Sequence, residues 1–136
     1  MTPTTAIIIV AAGSGTRLRA GLPKAFAEVA GSTILAIALA SVRRASEPME
    51  IVVVAPPSHL AEARAHAPGA TVVAGGETRQ QSVAAGLAVL GPGIRTVLVH
   101  DAARALASGA LVDRVAAAVR ERGHGIIPVL PVADTI

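Results

Sequence analysis

Residues 6–24, AIIIVAAGSGTRLRAGLPK, run an apolar segment straight into glycines, arginines and a lysine. Gly13 and Gly15 permit positive φ and carry no side chain, so successive backbone N–H groups can converge on an anion. Arg17 and Lys24 add mobile countercharge, and Pro23 restricts the backbone just ahead of the lysine. Lys24 is the only lysine among twelve Lys and Arg residues. The chemistry these types suit is the binding of a phosphate-rich ligand; a ligand-free tight turn is the alternative. Two better-known phosphate motifs do not apply. The dinucleotide fingerprint needs a third glycine where Leu18 stands, and the P-loop needs a Gly-Lys-Ser/Thr ending that is missing.

Two further stretches carry polar residues at the ends of apolar runs. In GGETRQQSVAAGL, residues 75–87, Gly75 and Gly76 allow close backbone approach and Ser82 lies just inside a helical pattern. Without a ligand it reads as a loop with a solvated arginine and a helix-start serine. In HDAAR, residues 100–104, Asp101 stands at the end of an apolar run with Arg104 behind it. Such an aspartate either caps a helix or offers a hard oxygen to Mg²⁺, which is commonly held by one or two carboxylates plus substrate phosphates. His100 reads as a packed or hydrogen-bonded residue, since no second histidine has ligand spacing with it.

These stretches need elements to position them. The β-branched runs at 5–12, 50–55, 70–74, 95–100 and 125–130 lack polar alternation, as expected of strands covered on both faces. Between them lie helix patterns at 33–46 (Ile34, Ile37, Ala38, Val42), 58–66, 79–90 (Val83, Leu87, Leu90) and 109–122 (Leu111, Val115, Val119, with Gly123 as the stop). The alternation predicts an α/β fold: a doubly wound, mostly parallel sheet with helices on both faces. Ligands in such sheets sit outside the carboxyl ends of the strands.

Composition narrows the function classes. At 136 residues, 52% hydrophobic and 15% charged, the sequence reads as one packed domain. It has no cysteine, which excludes disulfides, thiolate-bound zinc and thiol nucleophiles. The net charge of +3 is carried by scattered residues, and Phe26 is the single aromatic, too little for base stacking; no nucleic-acid partner is expected. No apolar stretch reaches membrane-spanning length and no basic region precedes the first apolar run, so a soluble, cytoplasmic protein with no membrane partner is expected.

Taken together and in order, AAGSGTR with PKAF, then GGETRQQSV, then VHDAAR, resemble the 2-C-methyl-D-erythritol 4-phosphate cytidylyltransferases of the non-mevalonate isoprenoid pathway. The likeness runs from Ala6 to PVADT. It implies a Rossmann-like nucleotidyltransferase fold, CTP and a phosphorylated polyol as substrates, Mg²⁺ as cofactor and a homodimer. It implies that Arg17 and Lys24 contact the triphosphate and act in catalysis. It implies that Ala11, Ala12, Gly13, Gly15, Gly76, Glu77, Ser82 and Ala102 surround the nucleotide. Asp101 would bind Mg²⁺, and Arg104 and Thr135 would face the methylerythritol phosphate. Several relatives carry aspartate at the position of Glu77, so that contact would run through its backbone.

Two departures stand out. Ala105 follows the arginine of DAAR where the family usually has proline, and the family's chains continue well past PVADT with an arm exchanged between subunits and a further catalytic lysine. Residues 1–136 are accordingly expected to form a single nucleotidyltransferase domain lacking that arm. A ribitol 5-phosphate cytidylyltransferase and a catalytically silent CTP-binding remnant are the alternatives; a generic sugar-nucleotide transferase or molybdenum-cofactor cytidylyltransferase explains the first motif but not the other two.

Overall fold

The computed structural model describes residues 2–12, 22–104 and 107–128. The elements run β1 (Thr5–Val10), a 3-10 turn (Lys24–Phe26), β2 (Glu28–Val29), β3 (Ser32–Thr33), α1 (Ile34–Arg43), β4 (Met49–Ala55), a second 3-10 turn (Pro57–His59), α2 (Leu60–His66), β5 (Thr71–Ala74), α3 (Arg79–Leu87), β6 (Thr96–Asp101) and α4 (Gly109–Arg122). Four strands form one parallel sheet in the order β5-β4-β1-β6. The most apolar run, TAIIIV, takes a central place with every residue buried, because only there are both its faces covered.

Alternate residues of these strands feed two cores. Ile7, Ile9, Val53 and Ala55 pack with Leu35, Leu39 and Val42 of α1, Ala63 of α2, and Val112 and Ala116 of α4. Ile8, Val10, Val52 and Val54 pack on the other face against Val83 of α3 and Leu90 beyond it. Helices therefore cover both faces, as the alternation of apolar runs implies.

The helices differ in detail from their sequence reading. Leu35, Ala38, Leu39 and Val42 are buried in α1, whereas Ile34 and Ile37 lie at the margin, so the buried stripe is turned. In α4 the buried positions are Val112 and Ala116, with Leu111, Val115 and Val119 flanking them. In α3 Leu87 is 47% exposed; the contact is made by Gly86, where a Cβ would stand 2.8 Å from Ile8 Cγ2. Apolar spacing locates the helix, but the neighbouring strand's side chains select its inner face. Cap residues set the ends. Thr33 Oγ1 accepts from the Ala36 N–H, Thr78 and Gln81 form a capping box, Ser108 caps α4, and Gly123 ends it at φ 70°.

Two elements depart from expectation. The hairpin β2–β3 is absent from the sequence reading because its strands are two residues long; its turn has positive φ at Ala30 (53°) and Gly31 (86°), as a two-residue hairpin loop requires. The expected strand at 125–130 does not form over 125–128. Ile127 is 82% exposed there, and Pro128 has no N–H to give a ladder. Residues 129 and 130 lie outside the described residues.

A polar cluster ties α4 to the amino-terminal end of the sheet. Asp113 accepts the Ser46 and Glu47 N–H groups at 2.8 and 3.1 Å, and Glu47 pairs with Arg120 at 2.7 Å and accepts from Thr5 Oγ1. The two backbone donors hold the Asp113 carboxyl below the usual aspartate range. A lowered folded-state pKa contributes stability above the unfolded value, and that contribution is lost as pH falls through the folded value. Asp113→Asn is therefore expected to melt a few degrees below the parent at pH 7, with the gap closing under acid conditions. Thermal melts from pH 7 to 3 measure this, and a gap independent of pH would refute it.

Candidate active site

β1, β4 and β6 run parallel, so their carboxyl ends meet at one edge of the sheet. Three backbone bonds extend the ladder past the strands there: Ala11 N–H to Val54 O at 2.8 Å, Ala102 N–H to Val10 O at 3.0 Å and Gly75 N–H to Ala55 O at 2.8 Å. Outside this edge lies an open cleft of about 430 Å³. Val10, Ala11 and Ala12, all nearly buried, line it where β1 ends. Asp101, Ala102, Ala103 and Arg104 line one wall. The Arg104 N–H donates to Asp101 O at 2.9 Å, which puts the acid and the arginine on a single tight turn.

Lys24 also lines the cleft. Its 3-10 turn closes through Phe26 N–H to Pro23 O (3.0 Å) and Ala27 N–H to Lys24 O (3.1 Å). Ala25 and Phe26 are buried beneath it, so the turn is anchored while the lysine stays exposed. The two apolar neighbours fix a base from which the flexible stem can reach into the cleft.

Arg79 is the lining residue that sequence reasoning missed. It opens α3, directly after the cap Thr78. Its Nη2 and Nε donate to Asp101 Oδ1 at 3.0 and 3.3 Å, and the two side chains remain 60% and 37% exposed. A signal for it was present. A cation in the first turn of a helix opposes the macrodipole, and no acidic residue balances it there. That placement is costly unless the charge serves the cleft.

The GGETRQQSV segment is joined to the same edge. A Cβ on Gly75 would stand 2.5 Å from Ala12 Cβ and 2.7 Å from Ser82 Oγ, so only glycine fits this approach. Ser82 is fully buried and its Oγ accepts the Gly76 N–H at 3.2 Å. Glu77 projects into solvent, and its N–H is held by Gln81 Oε1 at 2.8 Å. Gly76, Glu77 and Ser82 thus adjoin the cleft through Gly75 and Ala12 without lining it.

The structure brings Ala11, Ala12, Lys24, Asp101, Ala102 and Arg104 together around one cleft. Gly13, Gly15, Arg17, Thr135 and Ala105 lie outside the described residues. The resulting electrostatics are simple. Among the described residues three cationic side chains, Lys24, Arg79 and Arg104, line the cleft with a single carboxylate, Asp101, an excess of positive charge that suits a polyanion. Among the described residues no group of three His, Cys, Asp or Glu side chains is gathered to hold a metal by itself.

His100 sits beside the cleft, not in it. Its Nε2 is buried and finds no hydrogen-bond partner among the described residues. Burial lowers its pKa, the neighbouring Asp101 charge works against this, and Arg104 adds to it.

Comparison with known proteins gives this geometry a family. The family model described as IspD, 2-C-methyl-D-erythritol 4-phosphate cytidylyltransferase, matches residues 5–136. A bifunctional enzyme IspD/IspF of Clavibacter michiganensis subsp. michiganensis is 53% identical over 98% of the chain and 35% of its own length. A 2-C-methyl-D-erythritol 4-phosphate cytidylyltransferase of Streptomyces avermitilis is 46% identical over 97% of the chain and 56% of its own length. Among solved structures, a 4-diphosphocytidyl-2C-methyl-D-erythritol synthase from Anaerococcus prevotii superposes with a TM-score of 0.72 at 32% identity, over 88% of this chain and 52% of that one. Another synthase of the same description reaches 0.76 at 28% identity, over 100% of this chain and 63% of that one. The chain spans 56% or less of the length of the two curated relatives. No helix among the described residues is long and apolar enough to cross a membrane. With the fold and the sequence matches in agreement over nearly its whole extent, the chain belongs to the 2-C-methyl-D-erythritol 4-phosphate cytidylyltransferase family.

Proposed function

We propose that this chain is the nucleotide-binding part of an enzyme that transfers a cytidylyl group from CTP to 2-C-methyl-D-erythritol 4-phosphate, releasing pyrophosphate. The observation that carries the reading is the cleft that Lys24, Arg79, Arg104 and the Asp101 carboxylate line at the carboxyl edge of a parallel sheet. In the transfer, an acceptor phosphate oxygen attacks the α-phosphorus while the bond to the bridging oxygen breaks and pyrophosphate leaves. The attacking oxygen is already ionised at neutral pH, so neither a side-chain nucleophile nor a strong base is required. What the protein must supply is alignment of two polyanions and dispersal of charge at the α-phosphoryl group.

Lys24, with Arg17, is assigned to the triphosphate, where an ammonium can follow the charge as it moves to the leaving group. Arg104 is assigned to the acceptor phosphate, which a guanidinium meets with two parallel donors. The small residues Ala11, Ala12 and Ala102 leave room for the nucleoside. A divalent cation suits the donor set: Asp101 carries the one carboxylate that lines the cleft among the described residues, Arg79 engages only its Oδ1, and substrate phosphates commonly complete such a site. Mg²⁺ held by Asp101 would neutralise phosphate charge. Arg79 meanwhile fixes the carboxylate's orientation. The resemblance further implies that the acting form is a homodimer.

Calorimetric titration of the chain with CTP, UTP, ATP and GTP in the presence of Mg²⁺ tests the reading. CTP is expected to bind about tenfold or more tightly than ATP, since a nucleoside pocket rimmed by backbone and small residues discriminates by ring size and edge hydrogen bonds. Equal affinity for all four would refute it.

A further inference from the structure

We propose that His59 is a positioning residue for Lys24, acting through the ring of Phe26. The inference rests on reading Lys24 as a triphosphate-binding group. Phe26 is the only aromatic residue in the sequence and shares its three-residue 3-10 turn with Lys24. Its ring stacks on the His59 imidazole with centroids 5.2 Å apart and planes 25° from parallel. The two rings come from different arms of the sheet edge, one after β1 and one after β4.

The His59 side of this contact is rigidly supplied. Pro56 and Pro57 fix φ at the start of the arm, and the His59 N–H donates to Pro56 O at 2.9 Å. Ser58 Oγ lies 2.7 Å from His59 Nδ1, which sets the rotation of the imidazole. α1 also packs against the Lys24–Phe26 turn, and the Ile34 N–H donates to Ala27 O at 2.9 Å just beyond it. The turn has no side-chain cap of its own, so burial of Ala25 and Phe26, the α1 contact and the ring stack together hold it. The stack is the part of this support that comes from the β4 arm, and it bears on the base of the lysine that lines the cleft. A histidine that only filled space would need neither the prolines nor the serine contact.

Because the chain has one lysine, labelling with ¹⁵N-lysine yields one backbone amide signal, that of Lys24. Its heteronuclear NOE reports picosecond-to-nanosecond order of the turn without any ligand. His59→Ala is expected to lower this NOE, and His59→Phe, which preserves a stacking ring, to retain it. CTP affinity is expected to fall about fivefold in His59→Ala, the size of a lost aromatic pair, and less than twofold in His59→Phe. In a Lys24→Ala background the His59→Ala change is expected to have no further effect on CTP affinity, as coupling through the lysine demands. An unchanged NOE in His59→Ala, or an equal loss of affinity in both backgrounds, overturns the inference. A parent chain that binds no CTP refutes the nucleotide reading, while the ligand-free NOE still decides the positioning.

Discussion

Lys24→Ala, in the chain extended to the length of its relatives, is expected to lower kcat/KM for cytidylyl transfer at least about 100-fold, because an aligned cation at a transferring phosphoryl group is typically worth several kcal/mol. The loss should fall mainly on kcat. Charge builds at the α-phosphoryl and on the leaving pyrophosphate as the bond breaks, so the lysine's interaction is stronger in the transition state than with bound CTP. Lys24→Arg keeps the charge on a longer, planar head and is expected to recover only part of the rate. The 3-10 turn holds the base of the side chain, and a guanidinium starting from that base places its donors differently from an ammonium. Steady-state rates of pyrophosphate release at varied CTP measure the split. A loss below fivefold in Lys24→Ala would move the lysine out of the chemistry.

The parts of this architecture that were legible in the sequence are those whose signal is local. TAIIIV and the β-branched runs after it announce buried parallel strands because no polar residue interrupts them, and Gly123 marks the end of α4 through its own backbone preference. The place of Asp101 was legible for a related reason: it ends an apolar run whose end a parallel sheet must deliver to one edge, and Lys24 stood out as the single lysine in the segment that leaves β1. Other features depend on partners distant in the chain. Whether Leu87 or Gly86 of α3 meets the sheet is decided by Ile8, and no spacing rule contains Ile8. Arg79 read as a solvated arginine because Asp101, its partner, stands 22 residues away. The stack of Phe26 on His59 joins two loops, and loops carry no periodicity from which to infer it. The expected strand at 125–130 shows the opposite error: an apolar run satisfied the pattern, but over 125–128 Pro128 removes a ladder donor and no neighbour covers Ile127.

Asp101→Asn is expected to have opposite effects on two measurements, which makes it the sharper test of how the cleft handles charge. Among the described residues the carboxylate is the only negative side chain lining a cleft with three cations, and it holds Arg79 through two donors on Oδ1. In the absence of divalent metal, the aspartate repels the triphosphate and occupies a guanidinium that could otherwise meet it. Removing one unit charge a few ångströms from a phosphate changes the interaction by about 1–4 kcal/mol over the range of effective dielectric found at protein surfaces. Both side chains are substantially exposed, so the lower end applies and metal-free CTP should bind about five- to tenfold more tightly to Asp101→Asn. With Mg²⁺ present the order is expected to reverse. The amide offers a neutral oxygen in place of a charged one, so Mg²⁺ is expected to strengthen CTP binding less in the variant than in the parent, and turnover of the extended enzyme should fall by about 100-fold or more. Calorimetry with EDTA and with Mg²⁺, on parent and variant, gives the four affinities without depending on turnover. Arg79→Ala separates the two roles of the pair: it leaves the carboxylate charged but unheld, and is expected to weaken metal-free CTP binding while retaining an Mg²⁺ response. If Asp101→Asn weakened CTP binding equally with and without Mg²⁺, the carboxylate would be holding the cleft's shape rather than a cation.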